Sequence, residues 1–352
     1  MTSSGSFAAT ILESSTGALA GYASSLVLER HPEFAERYGP RPMPVWKTHL
    51  NQRLLELAAA VRTDEPAIFA GRVRWARKAF VARGLPDADI LLSLESLADV
   101  LRERLPAPAL APVEVCLSEA RAVFEDAVDV EETGLDPERP ADREALEYLA
   151  LVLAGDTRTA TDRLLTLADE GMTPREVYER VLIPAEREIG RLWHAGKANV
   201  AEEHLVTTTT RRAMAALSAR FEPGETNGKT VVIAAVAGNA HELGARALAD
   251  FFDFAGWRVV FLGADLPASD LVHGVRFFGA DLLILSATLS TQLAEVERVI
   301  AMVKEVGEEA PPVMVGGLAF ADAPELWKRV GADLTATSVD EALERAARAA
   351  GL

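Results

Sequence analysis

The chain has 352 residues, 49% of them apolar and 6% aromatic, with one cysteine and a net charge of −17 from 53 acidic against 36 basic residues. That length allows two or three domains, each with its own core, while a single thiol excludes an internal disulfide or a multi-thiolate metal site. No apolar run approaches the roughly 20 residues of a membrane span, no secretory leader opens the chain, and the acidic balance, without zinc-finger spacing or a basic helix ahead of a zipper, argues against direct nucleic-acid binding. A cytoplasmic location is expected.

A helix is predicted from about Phe7 to Glu29, ended by His31–Pro32, and the prolines of Tyr38–Pro44 predict a stiff loop. Helical spacing then recurs at about 45–62, 64–83, 87–105 and 111–129. Asp64 and Asp87 are placed to cap the second and third of these, and Pro66 suits a first helical turn. Leu54, Leu55, Leu57, Ala58 and Val61 make an apolar stripe on the first. Residues 1–130 therefore read as an all-α domain, a bundle or a globin-like packing. Arg74, Arg77 and Lys78, near Arg72, share a helix face by their spacing. Such a face either holds the carboxylates of a ligand, such as tetrapyrrole propionates, or is a solvated surface over a core containing Trp46 and Trp75. His49 reads as a structural histidine and Cys116 as a small core residue.

Residues 131–140 are polar and rich in turn formers, which predicts a linker. Helices follow at about 141–154, 157–170, 174–194 and 199–220, and Thr173–Pro174–Arg175–Glu176 has the pattern of a capping box. Connections this short make neighbouring helices antiparallel, so 141–222 reads as a four-helix bundle. After a second linker, residues 229–352 alternate strand and helix, with strands near 230–236, 258–262, 281–286, 312–315 and 333–335. That order predicts a flavodoxin- or Rossmann-like α/β domain with a five-stranded parallel sheet, and a multidomain α plus α/β chain overall.

Three loops of the last domain leave the C-terminal ends of strands, where open α/β sheets bind ligands. They carry Asn239–Ala240–His241–Glu242–Leu243–Gly244, then Ser286–Ala287–Thr288, then Gly316–Gly317. Together they resemble the cobalamin-binding domain shared by B12-dependent methyltransferases, mutases and light sensors, whose pattern is Asp-x-His-x-x-Gly, a serine near the third strand end and a Gly–Gly pair. The resemblance implies that His241 is the lower axial ligand of cobalt. It also implies that Ser286, Gly316 and Gly317 line a slot for the displaced nucleotide tail, with Gly244 and Thr288 among the cofactor contacts. Asn239 stands where the family has aspartate. Its amide oxygen can accept the same hydrogen bond from the imidazole but brings no negative charge, so a slightly weaker donor is expected.

The predicted bundle contains Trp193–His194 and Glu203–His204, with nine residues between the tryptophan and the glutamate. A helical hairpin brings these four to one end. An aromatic plane beside a carboxylate and an imidazole suits a nucleoside, although Trp193 could equally be core and Glu203 a helix-start acid. The spacing resembles the adenosylcobalamin module of CarH-type photoreceptors. This implies that Trp193 and Glu203 cover the adenosyl group and that His194 binds cobalt after light removes it. CarH-type repressors begin with a helix-turn-helix domain, which residues 1–130 do not match, so the layout is closer to the photocobilins, which pair B12 with biliverdin. Biliverdin is then expected as a second chromophore, with Arg72, Arg74, Arg77 and Lys78 at its propionates and noncovalent binding ahead of a thioether through Cys116.

The expectation is a non-enzymatic light sensor. With no output domain after Leu352, light-dependent assembly of a homo-oligomer, with or without a protein partner, is the expected readout. The rivals are a corrinoid carrier of a methyltransferase system and a light-insensitive B12-binding scaffold.

Overall fold

An unbroken apolar run becomes an interior strand of a sheet: every residue of strand β1 (Thr230–Val236) is buried. The computed structural model describes residues 3–128, 134–222, 224–307 and 309–352, so the expected linker at 131–140 lies partly outside the described residues.

The N-terminal body consists of α1 (Ser3–Arg30), α2 (Glu33–Arg37), α3 (Pro42–Thr63), α4 (Pro66–Ala82), α5 (Ala88–Arg104) and α6 (Ala107–Ala122). Two expected caps are not made. Asp64 ends α3 in the left-handed conformation, at φ 55°, and Glu65 takes the position before α4. The chain has to reverse between adjacent helices there, and aspartate is one of the few non-glycine residues that tolerates this φ. Asp87 precedes α5, but its carboxylate accepts from Arg77 at 2.8 and 3.0 Å and caps nothing. Inside this body, Trp46, His49, Arg53 and Glu56 follow one face of α3 in three- and four-residue steps. Trp46 packs on Phe34 and Tyr38, and Arg53 donates to Glu56 at 2.8 Å and to the Arg72 carbonyl at 2.9 Å. Burial pushes His49 down to about 3 and the Cys116 thiol up to about 12, so both stay neutral, in keeping with structural roles.

The bundle is built from α7 (Arg143–Leu153), α8 (Thr157–Asp169), α9 (Pro174–Val177), a π-turn over Tyr178–Leu182, α10 (Ile183–His194) and α11 (Val200–Ser218). The expected single helix at 174–194 contains Pro184, which cannot donate to the carbonyl four residues back. The wider turn just before it accommodates that missing bond. Capping boxes at Thr173–Glu176 and Asn199–Glu202 fix where α9 and α11 begin.

The C-terminal part continues from β1 with α12 (Leu243–Phe254), β2 (Arg258–Leu266), α13 (Ala268–Phe278), β3 (Leu282–Ser286), α14 (Leu293–Lys304), β4 (Val313–Gly316), α15 (Leu326–Arg329), β5 (Leu334–Thr335) and α16 (Val339–Ala350). The sheet is parallel throughout in the order β2-β1-β3-β4-β5, the flavodoxin-like arrangement. β2 runs further than expected because its register against β1 slips twice, which carries Asp265 into the left-handed region beside the end of β1.

Three apolar cores hold these parts together. One lies between the sheet and the α12–α16 face, and one fills the bundle and takes in Ala247 and Phe251 of α12. The third is shared: it runs from α1 and α3–α6 into α13, α14 and the other face of the sheet. The N-terminal helices are therefore packed on the α/β part through apolar surface, but among the described residues they share no core with the bundle.

Candidate functional site

The strand order reverses between β1 and β3, and a crevice opens outside the strand ends at such a point. The loop after β1 is pinned there from several sides. The Gly238 N–H donates to Asp265 Oδ1 at 2.7 Å, and its carbonyl accepts from Gln292 Nε2 at 2.8 Å. Asn239 is fully buried; its Nδ2 donates to the Ser286 carbonyl at 3.0 Å and its Oδ1 accepts from the backbone N–H of His241 at 3.1 Å. The expected bond from Asn239 to the imidazole is thus not made. A short side chain closes an Asx turn on the backbone two residues ahead before it can reach a side chain. The amide instead knits the β1 loop to the end of β3, and a carboxylate could not do this because the Ser286 carbonyl needs a donor. The His241 side chain stands exposed at the tip.

Gln292 also holds the β3 loop, its Oε1 accepting from the N–H groups of Thr288 and Leu289 at 2.8 and 3.0 Å. Gly317 has φ 102°, and a Cβ there would lie 2.2 Å from the Ala287 carbonyl oxygen, so only glycine allows the β4 loop to close on the β3 loop. Gly244 and Gly316 have nothing within 4 Å of where a side chain would stand. Leu289 and Leu318 are exposed on two of the same loops. An accessible imidazole, two glycine-lined openings and a rim of exposed leucines fit a large planar cofactor that takes an axial nitrogen base and extends a tail between loops.

The bundle lies against α12. The Tyr178 hydroxyl donates to Asp250, Arg175 pairs with Asp340 at 2.6 and 2.8 Å, and Arg211 meets Glu242, the neighbour of His241, at 2.8 Å. About 12 Å back along α11, at 1.5 Å of rise per residue, stand Glu203 and His204. Residues 195–199 join α10 to α11, so Trp193, His194, Glu203 and His204 do come to one end of the bundle. Glu203 contacts His204 Nδ1 and accepts from Thr207 at 3.1 Å. Behind it, Glu186 lies within 3.3 Å of the same hydroxyl, and burial raises its pKa above the ordinary carboxylate value.

The basic residues of α4 are divided rather than gathered. Arg77 is buried, held by Asp87, by the Val123 carbonyl and over the Phe124 ring, while Arg74 is exposed and Lys78 half-buried. A buried guanidinium needs a compensating charge, and Asp87 supplies it from inside, so the expected shared basic face does not form. Arg72 turns the other way and donates to Asp322, beyond β4, at 2.9 Å. Trp75 was expected in the core; it is 40% exposed and stacks on His194, with ring centroids 4.4 Å apart and planes at 22°.

Sequence reasoning does not reach Asp265, Gln292 and Asp322, nor the partner of Trp75. Gln292 carried a local signal, a glutamine three residues beyond the end of an apolar loop, which is the capping-box distance. The contact of Trp75 with His194 spans 119 residues and that of Arg72 with Asp322 spans 250, and no periodicity reports such pairs.

The comparisons with known proteins agree with this geometry. Two B12 binding domain families match, one at residues 145–218 and one at residues 229–347. The dimethylamine corrinoid protein 2 of Methanosarcina acetivorans is 30% identical over 183 residues, 51% of this chain and 83% of that protein. The HTH-type transcriptional repressor CarH of Myxococcus xanthus is 26% identical over 222 residues, 61% of this chain and 74% of the repressor. Among solved structures, the Methanosarcina barkeri monomethylamine corrinoid protein shares the fold with a TM-score of 0.51, at 18% identity, over 57% of this chain and 96% of its own. On the strength of the match to a 30% identical relative over most of that relative's length, the chain belongs to the family of B12-binding corrinoid proteins and is a cobalamin-binding protein.

Proposed function

We propose that the chain is a non-enzymatic light sensor that uses adenosylcobalamin. The observation that carries this is the hairpin end of the bundle, where Trp193, His194, Glu203 and His204 gather an aromatic plane, a carboxylate and two imidazoles. When bound, adenosylcobalamin supplies a photolabile cobalt–carbon bond. His241, on a loop fixed by Asn239 and Gln292, would hold the cobalt, and Ser286, Thr288, Gly244, Gly316 and Gly317 would receive the tail. Trp193 stacks on the adenine and Glu203, positioned by Thr207, accepts from ribose hydroxyls. His194 would offer cobalt a second imidazole from this end of the bundle once the adenosyl group is gone. Loss of the adenosyl contacts shifts the population of bundle positions, and a change in homo-oligomeric state is the readout.

The test is the absorption spectrum of reconstituted protein before and after green light. A bis-imidazole cobalamin spectrum should develop in the wild type and not in His194→Ala; the same light-state spectrum in both would sink the role of His194. The 30% identity to a dimethylamine corrinoid protein favours a second reading, a carrier of methyl groups between partner enzymes. The carrier gains nothing from an adenosyl pocket, so equal dark affinities for methylcobalamin and adenosylcobalamin would favour it. Arg72 and Arg77 are committed to Asp322 and Asp87, which argues against biliverdin propionates at these residues. A red absorption band after reconstitution with biliverdin would restore it.

A further inference from the structure

We propose that helix α4 latches the upper-face histidine: Trp75 and Arg83 hold His194 away from ligation, and its capture by cobalt separates the bundle hairpin from the N-terminal helices. This rests on the assignment of His194 as the upper ligand.

His194 ends α10, where the last carbonyls of a helix lack intrahelical partners and the helix end carries partial negative charge. Arg83, just beyond α4, supplies both the donor and the charge, reaching the carbonyls of His194 at 2.6 Å and Trp193 at 2.9 Å. The imidazole lies flat on Trp75, and its Nε2 is 3.1 Å from the Trp75 carbonyl oxygen. A carbonyl only accepts, so Nε2 carries the hydrogen and has no lone pair to offer a metal. Ligation through Nε2 has to break that bond, and a ring turned toward a metal leaves the face of Trp75.

The seam this opens is held by ring stacking and hydrogen bonds. The N-terminal helices share an apolar core with α13 and α14, and Arg72 and Gly71 of α4 seat against Asp322, where a Cβ on Gly71 would come within 2.7 Å of the carboxylate. The bundle has a separate core. Between α4 and the hairpin there are ring stacking and hydrogen bonds at part-exposed groups, which are the contacts that open at low cost. One helical turn, the four residues from Arg72 to Trp75, thus connects the loop after β4 with the proposed switching histidine, so the N-terminal helices stay with the α/β part while the bundle end moves.

Aquocobalamin, added to the apoprotein in the dark, tests this without photochemistry. His194 ligation is followed by absorbance, and hydrogen exchange is read at the amides of 75–84 and 194–199. In the wild type, ligation should be accompanied by loss of protection in both segments. Trp75→Ala should speed His194 ligation by about 3- to 10-fold, the range a stacked aromatic pair is worth, and Trp75→Phe should restore most of the wild-type rate. An unchanged rate in Trp75→Ala with unaltered protection overturns the latch. A slower rate also overturns it, since Trp75 would then be a support for a ring ligating through Nδ1. If His194→Ala and wild type give one and the same spectrum, it is the assignment of His194 that fails.

Discussion

The fold presents His241 and His194 in opposite kinds of surroundings. The loop of His241 is locked by part-buried hydrogen bonds from Asn239 and Gln292 and by a more exposed one to Asp265, all within the α/β part and all spanning two strand ends. His194 is held at an exposed seam by a ring and a guanidinium that belong to another body of the molecule. The first arrangement gives a backbone position that few fluctuations disturb; the second can be exchanged for another partner at small cost. Under the proposed function, a ligand that stays and a ligand that comes and goes would call for these two constructions respectively.

Substitutions on the two sides should therefore differ sharply in their effect on stability. The largest loss is expected at Gly317, where alanine would meet both an unfavourable φ and the Ala287 carbonyl oxygen. Urea unfolding of Gly317→Ala should show a loss of about 3 kcal/mol or more, since a strained backbone and an overpacked contact act together. A cost below about 1 kcal/mol would mean that the two loops separate easily. Asn239→Ala comes next, at about 1–3 kcal/mol, because it leaves a buried carbonyl and an N–H group without partners. Asn239→Asp should be no milder near neutral pH, as it sets a carboxylate oxygen against the Ser286 carbonyl. By contrast His204→Ala, at an exposed side chain on the hairpin, should stay within about 0.5 kcal/mol of the wild type.

The seam between the N-terminal body and α14 offers a third measurement. Burial pushes Glu297 up to about 7 from its ordinary value of 4.5, against the pull of Arg62. Between those pH values the folded protein keeps a proton that the unfolded chain has released, so stability falls as pH rises from about 4.5 and levels off above about 7. Glu297→Gln should flatten that slope and gain about 1 kcal/mol at alkaline pH, after allowance for solvent screening of a partly exposed carboxyl. A slope that persists in the variant would assign it to another group.

The same contrast explains what could be read in the sequence. The His241 loop was legible because a buried parallel strand announces itself as an unbroken apolar run, and because the loop that follows is local in sequence. The order of elements was legible for the same reason, down to the capping box at Thr173. What escaped was decided by long-range pairing. Spacing placed Arg74 and Arg77 together, but Asp87 drew Arg77 inward. Composition put Trp75 in a core, but an imidazole 119 residues away covers its face instead. Even for Asn239 the motif does not disclose the partner, because which acceptor lies behind it depends on β3.

The smallest effect on stability is expected at Arg211, where the two constructions touch. Its guanidinium is half exposed and pairs with Glu242 at 2.8 Å, one residue from His241 and about 12 Å along α11 from Glu203. An exposed ion pair contributes little to folding, so Arg211→Ala should move the urea midpoint by about 0.5 kcal/mol or less. The pair ties the bundle to the histidine loop, and a ligand held between the two should feel its loss. Cobalamin should therefore dissociate faster from the variant in the dark while the folded protein remains as stable. Salt provides the control: at about 1 M, where the screening length falls to about 3 Å, the wild type should approach the variant and the variant should change little. If salt accelerates release equally in both, the tie between bundle and loop is the apolar packing of Ala247 and Phe251, and the ion pair is incidental to it.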